Sequence, residues 1–221
     1  VAEKFRKELS PETAKQNAWI PADSEEGRDY WEALQLIRKW TKANHNAIHQ
    51  ATLETARASD VGDRFWNEHN FVFKRGDLYY HGKGATPAWD DYAADATGRT
   101  LIPLNMSEPV LITRGKDAPH GLGFSPHGAG RNFSRSEHRR RRGTTTPEQM
   151  LAAETNGLDI RFHAGGIDAS ELPSGYKNAD SVVDQIKSYD LAEIEDYIDP
   201  YGCIMAGDVP PFWRDRKKTR R

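Results

Sequence analysis

The chain of 221 residues contains a single cysteine, Cys203, so no internal disulfide can staple it. That usage fits a reducing, cytoplasmic compartment. Long apolar runs are missing as well. No stretch approaches the roughly 20 apolar residues of a membrane span, and the sequence reads as one without a membrane partner. No secretory signal is expected, because the start is charged from Glu3 onward. Neither sign of charge prevails: 31 Lys and Arg stand against 33 Asp and Glu, a net charge of -2. The near-neutral total conceals segregation. Acidic residues crowd the start and the stretch from Asp180 to Asp199, while basic residues crowd Arg131 to Arg142 and Arg214 to Arg221. Several signatures are absent: the Gly-x-Ser-x-Gly nucleophile elbow, the His-Glu-x-x-His zinc motif, the phosphate-binding Gly-x-x-x-x-Gly-Lys-Ser/Thr loop and any internal repeat.

Ten per cent aromatic residues argue for a packed core despite a polar composition. Residues 1–27 read as a polar lead-in with a turn at Pro21 to Ser24. Apolar residues then recur at three and four from Arg28 to about Ala58, which predicts a long amphipathic helix with a wide apolar stripe. Phe71-Val72-Phe73 and Leu78-Tyr79-Tyr80 flank a turn at Gly76-Asp77 and predict a hairpin. Arg99 to Pro103 and Val110 to Thr113 predict strands, with loops at 81–88, 103–109 and 115–130. Pro147 to Asn156 predicts a helix with Thr146 as N-cap and Pro147 at its first position. Asp159 to His163 reads as a strand and Ser181 to Tyr189 as a helix. Leu191 to Ile198 also reads as helical, with a strand as the alternative. The fold class is α+β.

Five segments contain candidate functional residues. The first is His127-Gly128-Ala129-Gly130-Arg131, followed by Ser134-Arg135. Small residues after a histidine allow backbone N–H groups to approach a phosphate, and arginine forks match phosphate oxygens. A plain glycine turn with a surface histidine is the alternative. The second is His69-Asn70-Phe71-Val72, where an imidazole at a strand start is either a metal ligand or a hydrogen-bonded structural histidine. The third is Lys83-Gly84-Ala85-Thr86, an ammonium between glycines that suits an anion or an ordinary loop. The fourth and fifth, Ile102 to Pro109 and Glu171 to Lys177, have no recognisable chemistry by themselves.

In this order and spacing, the segments resemble the RtcB family of RNA-splicing ligases. The matches are His-Asn-Phe-Val at 69–72, Lys-Gly-Ala-Thr at 83–86 and Ile-Pro at 102–103 with Met106. They continue with His-Gly-Ala-Gly-Arg at 127–131, Ser-Arg at 134–135 and Glu-x-Pro-x-x-Tyr-Lys at 171–177. The resemblance implies an RtcB-like fold, present here as its carboxyl-terminal half over residues 1–207, with a flexible basic tail over 208–221. It implies an RNA ligase that joins a 3′-phosphate or 2′,3′-cyclic phosphate to a 5′-hydroxyl, using GTP and manganese, on tRNA halves or broken RNA. His127 would carry the covalent guanylate. His69 would be a manganese ligand. His69, Asn70, Pro103, Leu104, Asn105, Met106, Val110, His127, Gly128, Ala129 and Gly130 would line the GMP. Lys83, Arg131 and Arg135 would meet RNA phosphate.

The same resemblance exposes gaps. The family draws an Asp and a Cys from an Asp-x-Gly-Cys-Gly-Met segment and a histidine from Gly-Asn-His-Phe, and neither segment is here. With Val1 in place of a starting Met, the chain reads as a fragment that is inactive alone, with the amino-terminal half as its partner. Leu104, Asn105, Ser107 and Val110 stand where the family has glycines and serines. Gly82 replaces an arginine, and Ala206-Gly207 aligns with the family's terminal lysine–glycine pair. The other readings are a silent RNA-binding or regulatory paralogue, or a metal-dependent phosphoesterase using His127 as acid or base.

Overall fold

The computed structural model describes residues 20–208, apart from 59, 60, 90, 91, 94 and 164. The expected tail beyond Asp208 and the first 19 residues lie outside the described residues. The chain divides into two units, Val1–Arg64 and Phe65–Arg221.

The first unit contains one long helix, α1 (Glu25–Thr55). Ser24 caps it, accepting the Gly27 N–H at 3.0 Å, and Glu25 and Glu26 favour the positive end of the helix dipole. The helix starts three residues earlier than the periodicity predicts because the cap lies ahead of the apolar stripe. That stripe has no buried residue: Leu36 and Trp40 are 69% and 66% exposed.

The second unit is built on nine short strands and three helices among the described residues. Strands β1 (Val72–Arg75) and β2 (Leu78–His81) form the expected hairpin, with Gly76 at φ 59° in the turn. Strands β4 (Arg99–Pro103), β5 (Val110–Gly115) and β8 (Ala192–Ile198) form an antiparallel sheet in the order β4-β5-β8. Ile102 and Leu111 point inward from it, and a Thr100–Thr113 hydroxyl pair lies buried between β4 and β5. Helix α4 (Ala179–Ser188) presses Val182 and Ile186 onto Ile102, Leu104, Leu111 and Ala192, closing one core.

The helical reading of Leu191–Ile198 is corrected: β8 is a strand. Asp190 adopts φ 49°, which stops α4 and turns the chain back along β5. Pairing with an open strand overrides local propensity there. A second core joins helix α3 (Pro147–Glu154) to the parallel pair β7 (Asp159–Phe162) and β9 (Gly202–Met205), around Met106, Met150 and Leu172. Two three-residue strands, β3 (Ala85–Pro87) and β6 (Phe124–Pro126), pair antiparallel within segments predicted to be loops. Helix α2 (Arg135–Arg141), also unforeseen, follows them.

Candidate active site

The β3–β6 ladder positions the site. Pro126 pairs with Ala85, so the next residue, His127, emerges beside the Lys83-Gly84 turn. The His127 N–H donates to the Gly84 carbonyl at 3.3 Å. The Gly84 N–H donates to Asn70 Oδ1 at 2.7 Å, and the Asn70 N–H donates to the Ala85 carbonyl at 3.2 Å. Asn70 sits at φ 54°, a left-handed conformation that asparagine tolerates better than most residues. That turn places the preceding His69 ring on the His127 ring. Their centroids are 4.5 Å apart and their planes 17° from parallel. Three segments separated in sequence thus meet through three backbone-anchored bonds.

The His127 imidazole is held below its usual pKa. Burial is the main cause, and electrostatic interactions with His69 and with the Lys83 ammonium add to it. Its neutral form, which has the lone pair of a nucleophile, therefore prevails at physiological pH.

Past the ring, the backbone is close to bare. The Ala129 N–H donates to the Pro103 carbonyl at 3.2 Å, and a Cβ placed on Gly128 would meet that same oxygen at 3.4 Å. Gly130 has φ 74°, and the Lys177 ammonium lies 3.9 Å from where its Cβ would stand. The Lys177 N–H donates to the Gly130 carbonyl at 3.0 Å. The loop 127–130 is consequently fixed at one side by Pro103 and at the other by Lys177.

Other expected residues face elsewhere. Leu104 and Met106 are buried, one in each core, so that segment offers a ligand its backbone and Asn105. Asn105 Oδ1 accepts the Ser107 N–H at 2.9 Å, and Val110 pairs with Pro103 and Ile198 in the sheet. Arg131 and Arg135 turn to protein acceptors. Arg135 pairs with Glu171 at 2.6 Å, and Arg131 lies 3.7 Å from the other Glu171 oxygen while also donating to the Ser170 carbonyl. The Arg131 guanidinium stacks over Tyr176 at 4.9 Å.

The Tyr176 hydroxyl donates to Glu171 at 2.6 Å, and burial followed by that carboxylate pushes the phenol up to about 12. Burial is also the largest influence on Glu171, raising its pKa. The Tyr176 and Arg135 hydrogen bonds and the nearby arginines together outweigh it, so the carboxyl sits below its usual range. The segment 171–177, mute by itself, is the clamp of the loop that follows His127. Only its place in an ordered set of motifs signalled it.

A manganese site is not complete here. Among the described residues, no three His, Cys, Asp or Glu side chains gather as a metal would require. The stacked His69 and His127 present ring faces to each other, whereas nitrogen lone pairs lie in the ring planes, so the pair does not converge on one ion. His69 remains the single expected donor. A neutral imidazole beside a lysine and a glycine-lined backbone has the chemistry to receive a phosphate group.

A family model described as tRNA-splicing ligase RtcB matches residues 1–206. The chain belongs to the RtcB family. It is 28% identical over 214 residues to the tRNA-splicing ligase RtcB of Archaeoglobus fulgidus, covering 85% of this chain and 44% of that protein. Against the tRNA-splicing ligase RtcB of Thermococcus kodakarensis it is 27% identical over 209 residues, covering 83% and 43%. Against the RNA-splicing ligase RtcB of Mycobacterium bovis it is 25% identical over 208 residues, covering 86% and 48%. The chain spans less than half the length of these relatives. No helix of the described residues is long and apolar enough to cross a membrane.

Proposed function

We propose that this chain is the carboxyl-terminal part of a cytoplasmic RNA-splicing ligase, with His127 as the nucleophile and GTP as co-substrate. The carrying observation is the stacked His69–His127 pair, seated where a glycine loop runs along the Pro103 carbonyl. In this reading the neutral His127 forms a nitrogen–phosphorus bond to the α-phosphate of GTP, and pyrophosphate leaves. The guanylate passes from His127 to an oxygen of the RNA 3′-phosphate, freeing the imidazole. The 5′-hydroxyl then attacks that phosphorus, GMP leaves, and a phosphodiester joins the two RNAs. A 2′,3′-cyclic end is first opened by water. Imidazole suits both transfers because it attacks when neutral and departs well when protonated.

His69, Asn70, Asn105, the backbone of Pro103–Met106 and the loop His127–Gly130 border the GMP, whereas the Leu104 and Met106 side chains are committed to the cores and Val110 to the sheet. Lys83 adds positive charge that favours bound phosphate. Manganese would neutralise phosphate charge. Among the described residues His69 is the single expected donor, and no step of the reaction is routed through the ion. The remaining donors come from the family's amino-terminal half, and the chain alone does not ligate. The RNA ends are those of tRNA halves or broken RNA.

The test uses the complete gene product that contains this chain. It is incubated with manganese and GTP labelled at the α-phosphate, then run on a denaturing gel. The wild type is expected to retain label and His127→Ala to lose it. RNA binding without label would mark a silent RNA-binding paralogue, and phosphate release without label a metal-dependent phosphoesterase. Either outcome overturns the ligase reading.

A further inference from the structure

The arginine run Arg139 to Arg142, beyond the nucleophile loop, is a sequence feature that the site leaves unused. Helix α2 has two unlike sides. On one side His138 is 4% exposed, and Arg135 and Arg139 pair with Glu171 and Asp168 at 2.6 and 2.9 Å. That side fastens the helix to the turn at residues 168–171. On the other, Arg140 and Arg141 have side chains 75% and 57% exposed. Both reach one carboxylate, Glu137, a turn earlier. One carboxylate cannot neutralise two guanidinium groups, so this side keeps net positive charge. Arg142 donates to the Thr145 carbonyl at 2.6 Å, a neutral partner that leaves its charge in place. Half-buried Phe133 lies under Arg141, with the guanidinium carbon 4.0 Å from the ring centroid.

We propose that this outward face, made by Phe133, Arg140, Arg141 and Arg142, docks single-stranded RNA a few nucleotides from the end that reacts at His127. The proposal rests on the ligase reading. Guanidinium forks match phosphodiester oxygens. A guanidinium held 4.0 Å over an aromatic ring offers a platform for an unpaired base. Exposed ion pairs such as those to Glu137 are weak and salt-screened, so a polyanion displaces that carboxylate readily. The face is also near the nucleophile along the chain. Asn132 donates its backbone N–H to the Gly175 carbonyl at 3.0 Å and its side-chain amide to the Tyr176 carbonyl at 2.7 Å. This pins the segment between His127 and α2, and backbone geometry limits the distance to Arg141 to about 35 Å.

The experiment measures binding of fluorescent oligouridine with a 3′-phosphate to the complete gene product, by anisotropy across a salt series. Arg140→Gln combined with Arg141→Gln is expected to weaken binding about 10-fold at low salt. It should also flatten the slope of log affinity against log salt by about 1.4. Phe133→Leu is expected to weaken binding about 5-fold with the slope unchanged. Arg161→Gln, which removes an exposed ion pair with Asp159, is expected to change neither. Thermal melts check that each variant is folded. GTP labelling of His127 is followed in parallel: its loss from the wild type speaks against the ligase reading, whereas the anisotropy tests this face. The proposal is overturned by wild-type binding in both the double arginine variant and Phe133→Leu, by an equal slope change in Arg161→Gln, or by polyglutamate competing as well as RNA.

Discussion

Glu171 shows how one carboxylate organises the loop that follows His127. It accepts from Tyr176 and Arg135 and lies beside Arg131, with its own side chain 16% exposed. Replacing it with glutamine removes a charged acceptor from two cations, and the expected cost is about 1.5–3 kcal/mol. The pH dependence has a definite sign. A carboxyl lowered in the folded state contributes its full stability above the unfolded glutamate value of about 4.3. That contribution fades as pH falls through the lowered folded value. Denaturant melts should therefore show a gap between wild type and Glu171→Gln at neutral pH that closes in acid. A gap that widens in acid would refute the assignment. Asn70 allows a finer separation. Asn70→Ala loses the bond to Gly84 and strains a residue at φ 54°, costing about 2 kcal/mol together. Asn70→Gly loses only the bond. If Asn70 positions His127 through Gly84, both variants slow GTP labelling, and the alanine variant alone adds a large fall in melting temperature.

At the scale of elements, local chemistry explains what could be read from the sequence. Helix α3 was legible because Thr146 caps it and Pro147 takes its first position; Thr146 and Gln149 form a capping box, the Thr146 hydroxyl oxygen accepting from the Gln149 N–H at 3.2 Å and the Gln149 side-chain oxygen accepting from the Thr146 N–H at 2.9 Å. Thr146→Ala should cost about 1 kcal/mol, measured by chemical denaturation. The hairpin was legible for a similar reason, at Gly76. Strands β3 and β6 were not, because three residues have no periodicity and their pairing is purely tertiary. Pro87 argued against a strand besides. Helix α2 did have a signal, Ser134 three residues before Glu137, but the charge run masked it. Ser134 caps the helix, accepting the Glu137 N–H at 3.2 Å. The site was legible as an ordered set of motifs, and nothing local dictated that His69 would stack on His127. The part played by Glu171 and Tyr176 was invisible, because it depends on Arg131 being drawn 40 residues along the chain. Gly130→Ala, at φ 74°, should cost about 1–2 kcal/mol and slow labelling.

At the scale of the whole molecule, the chain covers 44% of its Archaeoglobus fulgidus relative, and among its described residues no metal-sized group of donors forms. His127, the glycine loop and the one metal-ligand candidate, His69, lie in the Phe65–Arg221 unit, and the proposed reading assigns the remaining donors to the family's amino-terminal half. Manganese titrated calorimetrically into this chain alone should bind only weakly, since one imidazole makes a poor site. Tight binding that survives His69→Ala would contradict that division of labour. The proposed ligase chemistry requires the His127 imidazole to become bonded to a nucleotide phosphorus. Tandem mass spectrometry of the complete gene product after incubation with GTP and manganese, with digestion kept above acid pH, tests it most directly. The expected result is a GMP adduct on His127. An adduct on any other residue, or none in a preparation that joins RNA ends, would contradict it.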